Sequence, residues 1–355
     1  MLTGQRVLIT GGTGSLGRVL VRRLLSGEMG TPERVTIMSR DEAKQNALRT
    51  SYLVSAGRHP TDEIIYENFR RTLAFQIGDV RDRDAVSLAL SDADVVFNAA
   101  ALKQVPTCEY FPYEAIRTNV EGPWNIITTI RDRRLPVKTV VGISTDKAAK
   151  PINVMGMTKA LQERLFLSAN LGCGQTRFIA VRYGNVLASR GSVVPLFHQQ
   201  IAAGGPVTLT DPDMTRFLLS LNDAVDLIFS ACRTALPGET YVPRVASARV
   251  EDIALALIGE RAIPIKIIGL RPGEKSHEIM VSEEEARRTI ERDGRYVIRP
   301  ILPELAAGNM GPPALDEEYT SAQGVLDRAG VEELFRRNRL MVGDLDLDDE
   351  KDLLR

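Results

Sequence analysis

Short apolar, β-branched runs alternate with longer amphipathic stretches through the first 185 residues. Arg6-Val-Leu-Ile-Thr10 opens the series as a short buried strand. A glycine-rich turn follows, and then a helix that gathers Leu16, Val19, Leu20 and Leu24 on one side. Val35–Met38, Leu73–Ile77, Asp94–Asn98, Thr139–Ile143 and Phe178–Arg182 read as five further strands, with helices predicted near 81–91, 111–133 and 153–170. Strands alternating with helices imply parallel pairing, right-handed crossovers and helices on both sheet faces. The pattern therefore predicts an α/β fold built on a doubly wound parallel sheet, whose ligands bind beyond the carboxyl ends of the strands.

After Asn185 the rhythm breaks, and Gly204-Gly205, Pro206, Pro212, Pro243 and Pro264 punctuate shorter segments. This part reads as a smaller C-terminal α/β domain packed over the sheet. A helix near 222–235 is expected to return to the first domain. The predicted division gives 1–185 plus about 220–240 to a nucleotide-binding domain, 186–219 and 241–330 to a substrate-binding domain, and 331–355 to a C-terminal extension. The end from Asp344 is acidic and reads as a solvated tail. Residues 52–71 are long for a connection between consecutive strands. They carry charge together with Ile64, Ile65, Tyr66 and Phe69, which reads as a surface helix at a subunit contact.

Composition narrows the possible functions. The 45 basic and 46 acidic residues leave a net charge of -1, which offers no polyanion-binding surface and argues against a nucleic-acid partner. With 44% hydrophobic and 26% charged residues, the chain has the makings of an ordinary globular core. Cys108, Cys173 and Cys232 are odd in number and lack metal-ligand spacing, so they read as plain thiols. No two of the three histidines form a metal-like pair. The chain opens without a charged-then-apolar leader, and no apolar run approaches the ~20 residues of a membrane helix. A cytoplasmic protein without membrane insertion is the expectation.

Thr10-Gly-Gly-Thr-Gly-Ser-Leu-Gly17 places Gly11, Gly14 and Gly17 between the first strand and its helix. That arrangement supplies a tight turn, backbone close to a pyrophosphate, and helix N-terminal amides facing the anion. It predicts a dinucleotide held by Gly11, Thr13, Gly14, Ser15, Leu16 and Gly17 in a Rossmann-like domain. The wider gap between the first two glycines resembles the extended short-chain dehydrogenase/reductases. At the end of the second strand Ser39 and Arg40 precede Asp41 and Lys44. An arginine there accommodates a 2′-phosphate, which favours NADP over NAD, whereas Asp41 would serve a ribose hydroxyl. Asp79 and Val80 are suited to the adenine edge, and Ala99, Ala100 and Ala101 are small enough for backbone to approach the cofactor.

The fifth strand runs into Ser144-Thr145-Asp146-Lys147, and the next helix carries Met155 and Lys159. Polar residues at the carboxyl end of a central strand face the crevice. Thr145, Asp146, Lys147 and Lys159 are therefore the candidate catalytic residues, and Lys159 is also placed to bond the nicotinamide ribose.

These motifs occur with Ala99-Ala-Ala-Leu-Lys-Gln-Val-Pro106, Arg182-Tyr-Gly-Asn-Val186, Arg190-Gly-Ser-Val-Val-Pro195, Asp211-Pro-Asp-Met-Thr-Arg-Phe217, Arg271-Pro-Gly-Glu-Lys275 and Glu318-Tyr-Thr-Ser321. Over most of residues 1–325 the chain resembles the UDP-N-acetylglucosamine 4,6-dehydratases of polysaccharide biosynthesis, near their capsular, CapE-like branch. The resemblance implies transient oxidation at sugar C4 by NADP, loss of water across C5–C6, and hydride return to C6, with inversion at C5 a feature of that branch. It casts Lys147 as base at C5 and Asp146 as the acid that protonates the C6 hydroxyl. Such a lysine needs a lowered pKa, for which burial near Lys159 and the positive nicotinamide are the expected causes.

One departure bears on the first step. Met155 stands where short-chain enzymes carry tyrosine, and a thioether cannot deprotonate a hydroxyl. Thr145 is then expected to contact the C4 hydroxyl and relay its proton toward Lys147 or water. The resemblance also implies Lys103, Tyr183 and Asn185 beside the cofactor, with Lys103, Thr145, Asn185 and Val194 along the sugar–diphosphate path. Arg216 is assigned to the diphosphate, Arg271 to phosphate or ribose, and Glu274 to the nucleoside ribose. A UDP-linked sugar is favoured over a GDP-linked one, and a homo-oligomer is implied. The competing readings are a nucleotide-sugar epimerase or reductase, which would normally show the tyrosine and lack the Asp-Lys pair, and a non-enzymatic NADP sensor, against which the intact Thr-Asp-Lys run argues.

Overall fold

The computed structural model describes residues 1–54, 60–187, 192–270, 273–306 and 312–344. The six expected strands form: β1 (Arg6–Thr10), β2 (Arg34–Ser39), β3 (Leu73–Ile77), β4 (Val95–Asn98), β5 (Thr139–Thr145) and β6 (Arg177–Tyr183). They pair in parallel in the spatial order β3-β2-β1-β4-β5-β6. The order reverses between β1 and β4, which opens the crevice where doubly wound sheets take ligands. β5 lies inside the sheet with six of its seven residues buried, as expected of a strand covered by helices on both faces. A Cβ on Gly142 of β5 would lie 2.4 Å from the Phe166 ring, so the glycine lets the covering helix come close.

The sheet continues past β6. The strand Thr240–Pro243 adds to β6 in parallel, and the hairpin Thr289–Arg292/Arg295–Ile298 adds to it antiparallel. Residues 289–298, assigned from the sequence to the substrate-binding domain, thus form the edge of the nine-stranded sheet. Nothing in an antiparallel hairpin marks which sheet it will join.

Helix α1 (Ser15–Leu25) buries Val19, Leu20 and Leu24. The segment 52–71 divides between α2 (Glu42–Val54) and α3 (Pro60–Thr72), with 55–59 outside the described residues. It is not a surface helix. Ile65 and Phe69, four residues apart on one face of α3, enter the same core as Leu20 and Leu24. Tyr52 stacks on Phe69 at 5.3 Å, and the Asn68 amide donates to the Leu25 carbonyl at 2.7 Å. Ile64 alone of the four apolar residues is strongly exposed, at 53%.

Helix α4 (Arg83–Leu90) is capped by the Asp82 side chain. The stretch predicted as one helix over 111–133 is broken. Beyond α5 (Val105–Tyr110) come α6 (Pro112–Ile116), a π-turn at Arg117–Glu121 and α7 (Gly122–Arg133). The π-turn buries Asn119, which bonds both the N–H and the carbonyl of Leu102 (2.8 and 2.9 Å) and the Thr158 hydroxyl (3.0 Å). It therefore ties the loop after β4 to α8 (Val154–Gly172), the helix bearing Met155 and Lys159.

The helix Leu221–Thr234 does return to the first domain, where Leu221, Val225 and Ile228 join the core of α1. A second core lies in the other lobe. Val194, Phe197 and Ile201 of α9 (Val193–Ala202) meet Ile253 and Leu257 of the helix Val250–Ile258. Val331, Phe335 and Leu340 belong to that core as well, so the stretch beyond 330 begins as an integral part of this lobe. Most of the acidic tail, 345–355, lies outside the described residues. Among the described residues no helix is long and apolar enough to cross a membrane.

Candidate active site

The crevice beyond β1 and β4 opens into a cavity of about 710 Å³. Gly11 sits at φ +71°, and a Cβ there would lie 2.8 Å from the Ala100 backbone, so only glycine lets the two loops meet. Gly14 caps α1 without a side-chain hydrogen bond, leaving the first-turn amides facing the cavity. Thr13, Ser15, Leu16 and Gly17 complete this wall, with Ala99, Ala100 and Ala101 opposite. Arg18, which the sequence reading passed over, lies buried behind them. It donates to the Thr13 carbonyl at 3.1 Å and also lines the cavity.

Ser39, Arg40, Asp41 and Lys44 line one end of the cavity. Lys44 pairs with Asp41 at 2.9 Å, and its bonds hold the exposed Asp41 carboxyl below the usual range. Arg40 is half exposed, its guanidinium 3.7 Å from Asp79. Burial works to raise the Asp79 carboxyl, but hydrogen bonds from Arg81 (2.8 Å from Nε) hold it below the ordinary value. The Asp79 carboxylate is therefore engaged by Arg81, and Val80 lies next to it in the wall.

At the other end stand Thr145, Asp146 and Lys147, on the last residue of β5 and the single 3-10 turn that follows. The Thr145 hydroxyl donates to Asp146 Oδ1 at 2.8 Å, and Lys147 Nζ donates to the same oxygen at 3.1 Å. Asp146 is fully buried, and its Oδ2 has no hydrogen-bond partner among the described residues. Lys147 Nζ also lies 2.9 Å from Glu278 Oε1, a buried carboxylate delivered by the other lobe. Burial and the nearby Glu278 raise the Asp146 pKa, only partly offset by Lys147. Burial alone would depress the Lys147 ammonium, yet Asp146 and Glu278 outweigh it and hold the pKa above that of free lysine. The expected lowering at Lys147 is therefore corrected, because two carboxylates face it.

Burial instead lowers the pKa of Lys103, Lys275 and, most strongly, Lys159. Fully enclosed and donating to Gln162 Oε1 at 2.7 Å, it is pushed down by burial to about 7. Met155, one turn earlier, packs with Cys108 and Ala115 while forming part of the cavity wall. Tyr183 lies opposite Thr145 on β6 and also lines the cavity. Burial raises its phenol pKa, so it makes no substitute for the missing tyrosine as a base.

The substrate-side residues divide. Lys103, Asn185 and Glu274 line the main cavity. Arg216 lines an adjoining cavity of about 120 Å³ with Lys147, Asn185, Glu274 and Lys275, and its Nη1 is occupied by the Thr215 and Ser276 carbonyls. Val194 is displaced from the assigned path: it is 1% exposed in the second core, where its apolar side chain satisfies the packing of α9. Arg271 lies outside the described residues. The buried Asn185 Oδ1, Ser192 Oγ and Glu274 Oε2 also lack partners among the described residues. Polar atoms left open around a glycine-walled crevice fit a dinucleotide and a polar substrate.

Glu278, Arg18 and Asn119 were not singled out from the sequence. Glu278 lies three residues beyond Arg271-Pro-Gly-Glu-Lys275, the nearest signal that could have pointed to it. The three cysteines are free and buried, and no group of potential metal ligands occurs among the described residues.

A relative from Campylobacter jejuni named UDP-N-acetylglucosamine 4,6-dehydratase (inverting) is 41% identical over 305 residues, covering 85% of each chain. A Rickettsia conorii protein named UDP-glucose 4-epimerase is 43% identical over 290 residues, covering 80% of each. The X-ray structure of Pen from Bacillus thuringiensis superposes with a TM-score of 0.84 at 32% identity, covering 96% of this chain and 99% of that one. A family profile described as "Polysaccharide biosynthesis protein" matches residues 7–300. With the profile spanning the sheet, the glycine turn and the Thr-Asp-Lys corner, this chain belongs to the polysaccharide biosynthesis protein family.

Proposed function

We propose that the protein is a nucleotide-sugar 4,6-dehydratase that converts UDP-N-acetylglucosamine to a 4-keto-6-deoxy sugar nucleotide, with inversion at C5. The observation that carries this reading is the corner itself. An acid with a raised pKa, a lysine and a hydroxyl share one carboxylate oxygen at the edge of the dinucleotide crevice. Simple oxidation and reduction at C4 needs no such pair, whereas removing a C5 proton and a C6 hydroxyl needs both a base and an acid. The inverting outcome rests on the Campylobacter relative.

The glycine turn at Gly11, Gly14 and Gly17 would hold NADP, which when bound would supply the reversible hydride chemistry between C4 and C6. Arg40, at the strand end, supports NADP over NAD. Thr145 takes the place of the absent tyrosine: its hydroxyl contacts the C4 hydroxyl and relays that proton to water, from which Asp146 regains one after the elimination. Asp146, whose pKa burial raises, takes a proton from Lys147 Nζ across their hydrogen bond and donates it to the departing C6 hydroxyl. The amine this leaves on Lys147 accepts the C5 proton. Lys159 and Asn185 orient the cofactor end, and Lys103 and Glu274 the nucleotide end. A homo-oligomer and a cytoplasmic setting belong to the same reading.

The Rickettsia relative favours a second reading, C4 epimerisation, which uses the same oxidation but returns hydride to C4. Mass spectrometry of the sugar nucleotide after incubation without added NADPH separates the two. Dehydration removes one water, epimerisation leaves the mass unchanged, and an unaltered UDP-N-acetylglucosamine refutes the proposal.

A further inference from the structure

Glu278 reaches Lys147 from across the cleft, immediately before the strand Ile279–Val281. Its backbone is clamped to Ser321. The Glu278 N–H donates to Ser321 Oγ at 2.9 Å, and its carbonyl accepts the Ser321 N–H at 2.9 Å. Ser321 Oγ in turn lies 2.7 Å from Thr215 Oγ1, itself 2.8 Å from His277 Nδ1. The glutamate is thus 2% exposed and held by its main chain. An ion pair kept only for stability would be expected to satisfy its buried oxygens. Here Glu278 Oε2 and Asp146 Oδ2 are both buried without a partner among the described residues, one on each side of Lys147.

The charged groups around Lys147 are few. Asp146 adjoins it in the chain, and Glu278 and Lys275 face it from the other lobe. Arg216, on the strand Thr215–Phe217, stands 3.8 Å from the shared Glu278 oxygen. Moving one proton from Lys147 Nζ to Asp146 across their 3.1 Å hydrogen bond creates an amine and a carboxylic acid, with no proton gained or lost by the pair. Those are the forms the elimination uses. A carboxylate 2.9 Å from Nζ opposes that transfer by favouring the ammonium.

We propose that Glu278 is a positioning residue for this reaction, one that aims Lys147 Nζ and holds it as an ammonium in the free enzyme. Its part in turnover rests on the dehydratase reading, whereas its hold on the lysine charge stands without it. The two lobes therefore share one proton-handling unit, and the Asp146–Lys147 pair is incomplete without the second lobe.

The test is an NMR titration of the full-length protein labelled with 13C at lysine Cε, with the Lys147 signal identified by its loss in Lys147→Met. Replacing Glu278 by Gln should lower the Lys147 pKa by about one unit or more, the size expected for removal of an adjacent opposite charge. Glu278→Asp should move it less, in the same direction, and carries the test if the Gln variant does not fold. With UDP-N-acetylglucosamine, the acid limb of the kcat/KM profile should move to lower pH in step. An unmoved Lys147 titration, or a uniform fall in kcat/KM with its limbs in place, overturns the proposal. Absence of turnover by the unaltered enzyme would remove the dehydratase reading, and the titration would still decide whether Glu278 sets the lysine charge.

Discussion

At the residue scale, Lys147 and Lys159 are tuned in opposite directions by their surroundings. Lys147 meets two carboxylates and stays charged, while Lys159, enclosed and bonded to the Gln162 amide, is pushed down by burial to about 7 against the opposing charge of Glu163. The Lys159 shift has a consequence for stability. Between about pH 7 and 10.5 the unfolded chain holds a proton on this lysine that the folded one lacks, so its contribution makes stability rise with pH over that window and penalises folding below it. Calorimetric melting from pH 6.5 to 9 should show Lys159→Met losing this rise, with the greatest gain in stability over the parent at the acid end. Parallel curves for the two proteins would contradict the assignment. Thr145, Asp146, Lys147 and Met155 were legible in the sequence because they sit at a strand end and on the helix that follows. Glu278 was not, since more than a hundred residues separate it from Lys147 and only tertiary folding joins them. Val194 was misplaced because an apolar residue beside a binding motif serves a wall or a core equally well, and here the core takes it.

At the element scale, the six strands of the first 185 residues were legible to within two residues, because buried parallel strands carry unbroken β-branched runs between turn signals. The helices were less so. The 111–133 stretch was read as one helix although Gly122-Pro123 marks a break within it, and its π-turn lies where Asn119 bonds Leu102 and Thr158. The α2–α3 region looked like surface because charge surrounds its apolar positions, although Ile65 and Phe69 lie four apart and share a face. Truncating Phe69 to Ala should cost roughly 3–5 kcal/mol by urea denaturation, as for other buried aromatics. Ile64→Ala, on the exposed side, should change stability by no more than about 0.5 kcal/mol. Equal effects at both positions would mean that α3 does not pack on α1 as described.

At the scale of the whole molecule, the crevice is a product of the sheet, and the Thr145–Asp146–Lys147 corner also meets the second lobe through Glu278. The glycine turn, the strand-end arginine and the Ala99–Ala101 wall all follow from local sequence, so their meeting in one cavity was readable in advance. The second lobe was legible only as a loss of rhythm. Its contributions to the sheet edge, to the core around Phe335 and to Lys147 all depend on pairings between distant segments. The arrangement makes one demand on the reaction. If Lys147 removes the C5 proton and a proton is later returned to C5, solvent hydrogen must enter the product at that carbon. The most direct measurement is proton NMR of UDP-N-acetylglucosamine incubated with the enzyme in deuterated water without added NADPH. The account requires a 4-keto-6-deoxy product that carries deuterium at C5 and has inverted configuration there. A product that keeps its C6 hydroxyl and its original C5 proton would contradict it.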